Sequence, residues 1–131
     1  NFRKHVEKSA QVFSANHSDR NMAEFTHRDM KNHWLLAIKG RFTLVDKDHF
    51  QAALQNNQDS DKTICLDASG LEFIDSSGIG DLLKLKMEAA KNQKQICIFG
   101  LHDAVLKSFK IAKLDSVFEI LSKEEYQNRF S

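Results

Sequence analysis

With 131 residues, 41% of them hydrophobic, the chain can form one compact domain with its own core but not two. Its 19 basic and 18 acidic residues nearly cancel, so no net field draws the molecule to nucleic acid or to an anionic membrane, and protein partners are the better expectation. No apolar run reaches the roughly 20 residues that span a bilayer, and we expect a cytoplasmic protein with no membrane insertion.

The first 21 residues carry weak pattern signals. Met22 is a possible natural start, so we expect residues 1–21 to be an N-terminal extension or an added leader. Their pattern is compatible with a short helix or with a disordered leader. The folded domain is predicted to occupy residues 22–131.

Two strands and a helix are predicted next in the chain. Residues 25–30 have the pattern of an edge strand, and residues 34–38 form a stronger strand that Gly40 breaks; the two can pair antiparallel, and residues 42–45 could prolong this unit. Asp46 is then placed to cap a helix that runs to about Asn56.

The middle of the chain predicts a βαβ unit. Residues 63–66 and 95–99 are short apolar runs typical of strands covered on both faces. Apolar residues recur at helical spacing between them, so the two strands should be parallel with a right-handed crossover. Each run contains one cysteine, Cys65 or Cys97, which we interpret as a buried free thiol; a disulfide or metal pair is the alternative.

Further helices are predicted at residues 101–112 and, on the surface, at residues 123–129, with an apolar set between them. The predicted fold class is therefore α/β. We expect a mixed sheet of about four to five strands with a parallel central βαβ unit and helices packed mainly on one face.

The run Asp75-Ser76-Ser77-Gly78 lies between a predicted strand and a predicted helix, in a loop where α/β domains usually place working residues. A phosphate on Ser76 would bring roughly 1.5 to 2 negative charges beside the free N–H groups of a helix that begins near Ser77. The helix end could tolerate that charge, whereas a partner packed on the loop would have to bury or repel it. Serine is also a favoured helix cap, and we assign that role to Ser77 while Ser76 projects outward.

Other kinds of site are disfavoured by the sequence. Neither serine lies in the Gly-x-Ser-x-Gly pattern of a nucleophile elbow, and none of the six histidines is tied to them by spacing. The histidine spacings match no zinc pattern. Lysines between residues 84 and 113 alternate with apolar helix faces, as on a solvated surface. We therefore predict no enzyme activity, cofactor, metal or nucleic-acid binding.

A longer run, Phe73-Ile74-Asp75-Ser76-Ser77-Gly78-Ile79-Gly80, preceded by a strand ending Cys65-Leu66-Asp67, resembles the signature of STAS domains of the bacterial anti-sigma factor antagonist type. The resemblance extends over about residues 22–121 and implies a STAS-type fold. It also implies that a partner serine kinase, often itself the anti-sigma factor, phosphorylates the serine that follows the aspartate, which is Ser76 here. A PP2C-type phosphatase would restore it.

In such a partner switch in transcription regulation, the unphosphorylated form binds the kinase or anti-sigma-type regulator, and phosphorylation releases it. The resemblance implies a partner-binding surface at Asp75, Ser76, Ser77, Gly78 and Ile79. We expect the partner to dock through the loop 75–78 and the helix from Ser77 to about Ala90.

One segment departs from the family pattern. Many relatives carry Gly-Glu-Leu/Ile-Asp after the second strand, near the phosphosite, whereas this chain has Gly40-Arg41-Phe42-Thr43. We include Arg41 and Thr43 in the predicted partner surface, where Arg41 would weaken its acidic character and could receive the phosphate. The alternative function is a STAS accessory subunit or regulatory module of a membrane transporter, without a phosphoswitch.

Overall fold

The computed structural model describes residues 12–13, 22–57 and 60–131. Within these residues six strands form one mixed sheet, in the order β1-β2-β3-β4-β5-β6. The first two pairs are antiparallel and the remaining three are parallel, so the predicted antiparallel pair and parallel βαβ unit are both confirmed. The strands are β1 Val12–Phe13, β2 Glu24–Asp29, β3 Trp34–Phe42, β4 Ile64–Ile74, β5 Ile96–Phe99 and β6 Glu119–Leu121.

Four α-helices connect or follow these strands in the described part of the chain: α1 Lys47–Leu54, α2 Ser76–Lys91, α3 Asp103–Ile111 and α4 Lys123–Phe130. Short 3-10 turns lie at Leu44–Asp46, Gln55–Asn57 and Leu114–Ser116. Among the described residues, none of the helices combines the length and the apolar character needed to cross a membrane.

The sheet is covered on both faces, and the alternation of side chains along β4 shows how. Ile64 and Leu66 belong to the main core beneath α1, α2 and α3, whereas Cys65 points to a smaller core on the opposite face. Helix α4 covers that second face. This arrangement explains why β5 and residues 64–66 of β4 are apolar at every position, and it confirms that the helices pack mainly on one face.

The two cysteines lie side by side in the second face. Cys65 and Cys97 are paired in register on β4 and β5, both are buried and free, and their Sγ atoms are 3.5 Å apart. The interpretation as buried free thiols is confirmed.

Helix α4 is fixed to the second face by aromatic contacts. The Tyr126 ring stacks on Phe99 with centroids 3.8 Å apart, and its hydroxyl lies 2.6 Å from His33 Nε2. Burial raises the pKa of Tyr126 to about 12, so its phenol stays protonated and can donate to the His33 ring. Because Asn32 Oδ1, only 2.7 Å from Nδ1, can only accept, His33 donates to Asn32 and accepts from Tyr126.

The central strands are longer than predicted. Gly40 was expected to end β3, but β3 continues to Phe42, with Gly40 at φ +93° beside a shift in the β3–β4 register. Likewise β4 does not end near Asp67, since it extends through Gly70 to Ile74. The irregular register lets β3 continue through Gly40, because glycine tolerates the positive φ at that position.

Asp46 has a different role from the one predicted. It occupies the position before α1, but its carboxylate makes no bond to that helix. Instead Oδ2 accepts from Thr43 N at 2.7 Å and Oδ1 accepts from Ala23 N at 2.9 Å. This buried carboxylate therefore fixes the turn after β3 to the segment before β2.

The prediction for residues 1–21 falls outside the described residues, except at Val12–Phe13. These two residues pair antiparallel with β2.

Candidate functional site

Helix α2 begins directly after β4, with Asp75 as its cap. Asp75 has extended backbone angles (φ −97°, ψ −178°), and its Oδ1 accepts from Gly78 N at 2.9 Å. The assignment of Ser77 as the N-cap was therefore wrong. The helix starts at Ser76, and the carboxylate of the residue before it reaches the third helical N–H.

Asp75 also connects α2 to the end of β3. Its second carboxylate oxygen accepts from Leu44 N at 3.3 Å, and its own N–H donates to the Phe42 carbonyl at 3.2 Å. The neighbouring ends of the parallel strands β3 and β4 are thus joined at the point where α2 begins.

Gly78 allows the helix to lie close to β3. A Cβ atom at this position would be 2.8 Å from Ile74 Cγ1 and 2.8 Å from the Phe42 carbonyl oxygen. Backbone cannot give way as a flexible side chain can, so the start of α2 packs in this position only with glycine at 78.

Ser76 is exposed and is the first residue of α2, whereas Ser77 is half-buried. The N–H groups of both serines have no acceptor within the helix, because no earlier helical turn supplies a carbonyl to them. These groups and the helix dipole favour negative charge on a Ser76 side chain. The adjacent Asp75 carboxylate opposes it by like-charge repulsion.

An exposed apolar surface borders Ser76. Leu44 is 65% exposed, Val45 59% and Phe73 39%, and the Arg41 guanidinium lies 4.2 Å from the centroid of the Phe73 ring. We call Leu44, Val45 and Phe73 the apolar rim. The sequence reasoning missed these residues. The consecutive pair Leu-Val directly before a helix was the available signal, since one turn rarely buries both.

The predicted partner-binding residues differ in accessibility. Arg41 and Ser76 are exposed, while Thr43 and Ile79 are half-buried, with Ile79 packed against the main core. Gly78 is fully enclosed and contributes through backbone packing. Strand pairing brings residues 41–43 next to residues 73–75, as the prediction of one surface requires.

His33 and His102 form hydrogen bonds in other parts of the fold. His33 pairs with Asn32 and Tyr126, and His102 Nε2 lies 2.6 Å from the Ser69 carbonyl. Over residues 22–57 and 60–131 there is no group of three or more side chains that could hold a metal ion.

Comparison with protein families identifies the family of this domain. A family model described as "Mlab, STAS domain" matches residues 26–122. The chain belongs to the STAS domain family. The match includes β3, β4 and the Asp75–Gly78 helix start, so the STAS domain contains the whole candidate site.

Solved structures show the same fold. An anti-sigma factor antagonist from Mycobacterium paratuberculosis matches with a TM-score of 0.74 and 14% identity, over 86% of this chain and 97% of that one. The Bacillus cell fate determinant SpoIIAA in its phosphorylated form matches with a TM-score of 0.63 and 19% identity, over 82% and 99% of the two chains. The murine Slc26a9 anion transporter matches with a TM-score of 0.56 and 22% identity, over 63% of this chain and 14% of the transporter.

The role of Asp75 can be tested by substitution. Asp75→Ala should lower the free energy of unfolding by about 1 kcal/mol because it removes the cap, whereas Asp75→Asn keeps an acceptor oxygen and should lose less. Ser77→Ala should change stability by less than about 0.5 kcal/mol. Urea denaturation measures all three. A larger loss for Ser77→Ala than for Asp75→Ala would contradict the assignment.

The close approach at Gly78 gives a second prediction, with a control in the same helix. Gly78→Ala should destabilise the domain by about 1–3 kcal/mol, since the added Cβ meets the Phe42 carbonyl. A Cβ at Gly80 meets nothing within 4 Å among the described residues, so Gly80→Ala should stabilise by up to about 1 kcal/mol through helix propensity. Thermal unfolding should show shifts of opposite sign, and shifts of the same sign would contradict this packing.

Proposed function

We propose that this STAS domain is a phosphorylation-gated protein-binding regulator. Its unphosphorylated form binds a partner serine kinase or anti-sigma-type regulator through the surface around Ser76, and phosphorylation of Ser76 releases that partner. The observation that carries the proposal is that Ser76 is exposed at the first position of α2 while Asp75 holds the helix cap. The hydroxyl can therefore be modified without removing a bond that the fold needs.

The surroundings of Ser76 support a binding surface. Leu44, Val45 and Phe73 present apolar area that a partner can bury. Each Å² of apolar surface removed from water contributes about 25 cal/mol of favourable free energy. A phosphate beside this rim would have to lose water for the same contact to form, and dianion desolvation is costly without a paired cation. Charge at Ser76 would therefore oppose binding that the apolar rim favours.

Arg41 offers the phosphate a cationic hydrogen-bond donor within the domain. In the unmodified protein the Arg41 guanidinium lies over the Phe73 ring, a cation–π contact. A phosphate on Ser76 would offer Arg41 a stronger, charge-assisted partner. A move of Arg41 toward the phosphate would change both the surface of the apolar rim and the charge beside it.

Reversal by a PP2C-type phosphatase completes the proposed cycle. The exposure of Ser76 makes its hydroxyl accessible to a kinase, and a phosphate there accessible to a phosphatase. Similarity to SpoIIAA, which has been solved both phosphorylated and unphosphorylated, supports a fold compatible with both states. In this proposal the domain acts by binding and is a substrate of enzymes rather than an enzyme.

The switch can be tested with three variants used as bait in native lysate supplied with ATP. Ser76→Ala should retain the partner and take up no phosphate, and Ser76→Asp should retain it poorly. Ser77→Ala should behave as the wild type. Captured proteins are identified by mass spectrometry, and the phosphosite on wild-type bait is mapped by peptide sequencing. Phosphate on Ser77, or none on either serine, would refute the site assignment.

The apolar rim has a matched control on the same domain. Leu44→Ser should weaken binding of the partner that the Ser76→Ala bait captures. The affinity should fall by about tenfold if one well-buried contact is lost. Met87 is 66% exposed, nearly the same as Leu44, but lies eleven residues along α2 from Ser76, or about 16 Å of helix. Met87→Ser should leave capture unchanged, because we place the docking surface at the start of α2 and not along the whole helix from Ser77 to Ala90. Equal effects of the two substitutions would show that this rim is not the docking surface.

A transporter-associated STAS module is the second candidate. The likeness to the Slc26a9 anion transporter favours it, because the same fold occurs there within a membrane protein. The same capture experiment separates the two functions. Equal retention of a membrane protein by the Ser76→Ala and Ser76→Asp baits would favour the transporter module over the phosphoswitch.

A further inference from the structure

Arg41 is an exposed cation that has no carboxylate partner among the described residues. It lies near the carboxyl end of β3, beside the apolar rim. The ion pairs of the described residues lie elsewhere, at Lys47–Asp81, Lys62–Asp29 and Arg129–Glu119. The charge of Arg41 is therefore available to a group on another molecule.

Phe73 holds the Arg41 guanidinium in place. The two residues are paired in register on β3 and β4, so their side chains are neighbours at this end of the sheet. The guanidinium lies over the ring, 4.2 Å from its centroid. A guanidinium has five N–H donors, and a contact with one ring cannot occupy all of them. Because Arg41 is already ordered, a new ion pair costs less conformational entropy than it would with a mobile side chain.

The two carboxylates that flank this part of β4 do not neutralise Arg41. Asp75 accepts from Gly78 N and from Leu44 N, so both of its oxygens are engaged at the helix start. Glu72 is exposed, and the β3–β4 register passes over it without a paired residue. Neither carboxylate lies within ion-pair distance of the guanidinium.

A partner that docks on the apolar rim would bury Arg41 together with Phe73. Phe73 is 39% exposed and lies beneath the guanidinium, so a partner that covers the ring also removes water from the cation. A buried charge without a partner is costly, whereas a carboxylate can accept two parallel N–H bonds from one guanidinium. A partner without an anion at this point would therefore lose free energy that burial of the rim supplies.

We propose that the partner docks with an aspartate or glutamate set among apolar residues, so that its carboxylate pairs with Arg41 while the apolar residues cover the rim. This inference rests on the proposed function, because it describes the partner that the Ser76 switch releases. It also adds a second cause of release. A phosphate on Ser76 would repel the partner's carboxylate and compete with it for Arg41.

Zero-length cross-linking tests for the carboxylate. The partner is the protein that a full-chain Ser76→Ala bait retains and a Ser76→Asp bait does not. Adding Arg41→Lys to the Ser76→Ala bait puts an amine at position 41, which a water-soluble carbodiimide joins to a carboxylate in contact with it. We expect an amide bond between position 41 and an aspartate or glutamate of the partner, identified by tandem mass spectrometry.

Arg28 provides the matched control. It is also exposed and absent from the ion pairs of the described residues, but it pairs with Leu35, six residues or about 20 Å along β3 from Arg41. Adding Arg28→Lys to the Ser76→Ala bait should give no amide bond from position 28 to the partner.

Affinities for the purified partner measure the contribution of the charge. In the Ser76→Ala background, Arg41→Gln should weaken binding at least about tenfold, because it leaves the partner's carboxylate unpaired. Arg28→Gln should bind as tightly as Ser76→Ala alone. Arg41→Glu should weaken binding further, and replacement of the cross-linked partner residue with arginine should then restore it.

The outcomes separate this inference from the proposed function. If the Ser76→Ala and Ser76→Asp baits retain the same proteins, the proposed switch is wrong and this inference fails with it. If the baits differ, but Arg41→Gln binds as tightly as Ser76→Ala alone or position 41 is joined to no carboxylate, only the acidic contact is wrong.

Discussion

The Asp75 carboxylate is the interaction on which the candidate site depends. One of its oxygens accepts from Gly78 N and starts α2, while the other accepts from Leu44 N, which belongs to the turn after β3. A single side chain thus joins two parallel strand ends and a helix start. Gly78 lets these elements approach closely, because a Cβ atom at this position would meet the Phe42 carbonyl. Ser76 is therefore held in a fixed position at the carboxyl ends of β3 and β4, although its own side chain is exposed.

This division of roles gives the site its chemistry. Serine and aspartate are both good caps, but here the aspartate caps the helix, and the serine hydroxyl next to it is left outside that bond. Negative charge on Ser76 would be favoured by the first-turn N–H groups and opposed by Asp75, so the fold itself gains or loses little. A bound partner would experience the full change, since it must bury the apolar rim beside that charge. The proposed switch therefore changes the surface of the domain more than its structure.

Much of the fold follows from local pattern, because apolar runs around residues 64 and 97 and the helical spacing between them depend on neighbours in sequence. The bounds of β3 and β4 did not follow, since Gly40 and the run from Asp67 to Gly70 look like turn residues. In the structure Ser69 bonds to the Asp67 carboxylate, and the strand continues past both residues. The choice of Asp75 over Ser77 as cap was equally hidden. It depends on Leu44, 31 residues away in sequence, whose backbone N–H donates to the second carboxylate oxygen of Asp75.

Site-specific incorporation of phosphoserine at position 76, followed by amide chemical-shift and hydrogen-exchange measurements against the unmodified protein, tests whether the phosphate changes the surface of the domain without changing its structure. The account predicts shift changes confined to the turn after β3, the end of β4 and the first turns of α2, with unchanged exchange protection in the sheet. It also predicts that Gly78 N–H remains protected, because Asp75 still accepts from it. Loss of protection at Gly78, or changes spread through β4 and β5, would show that the phosphate refolds the domain and would contradict the account.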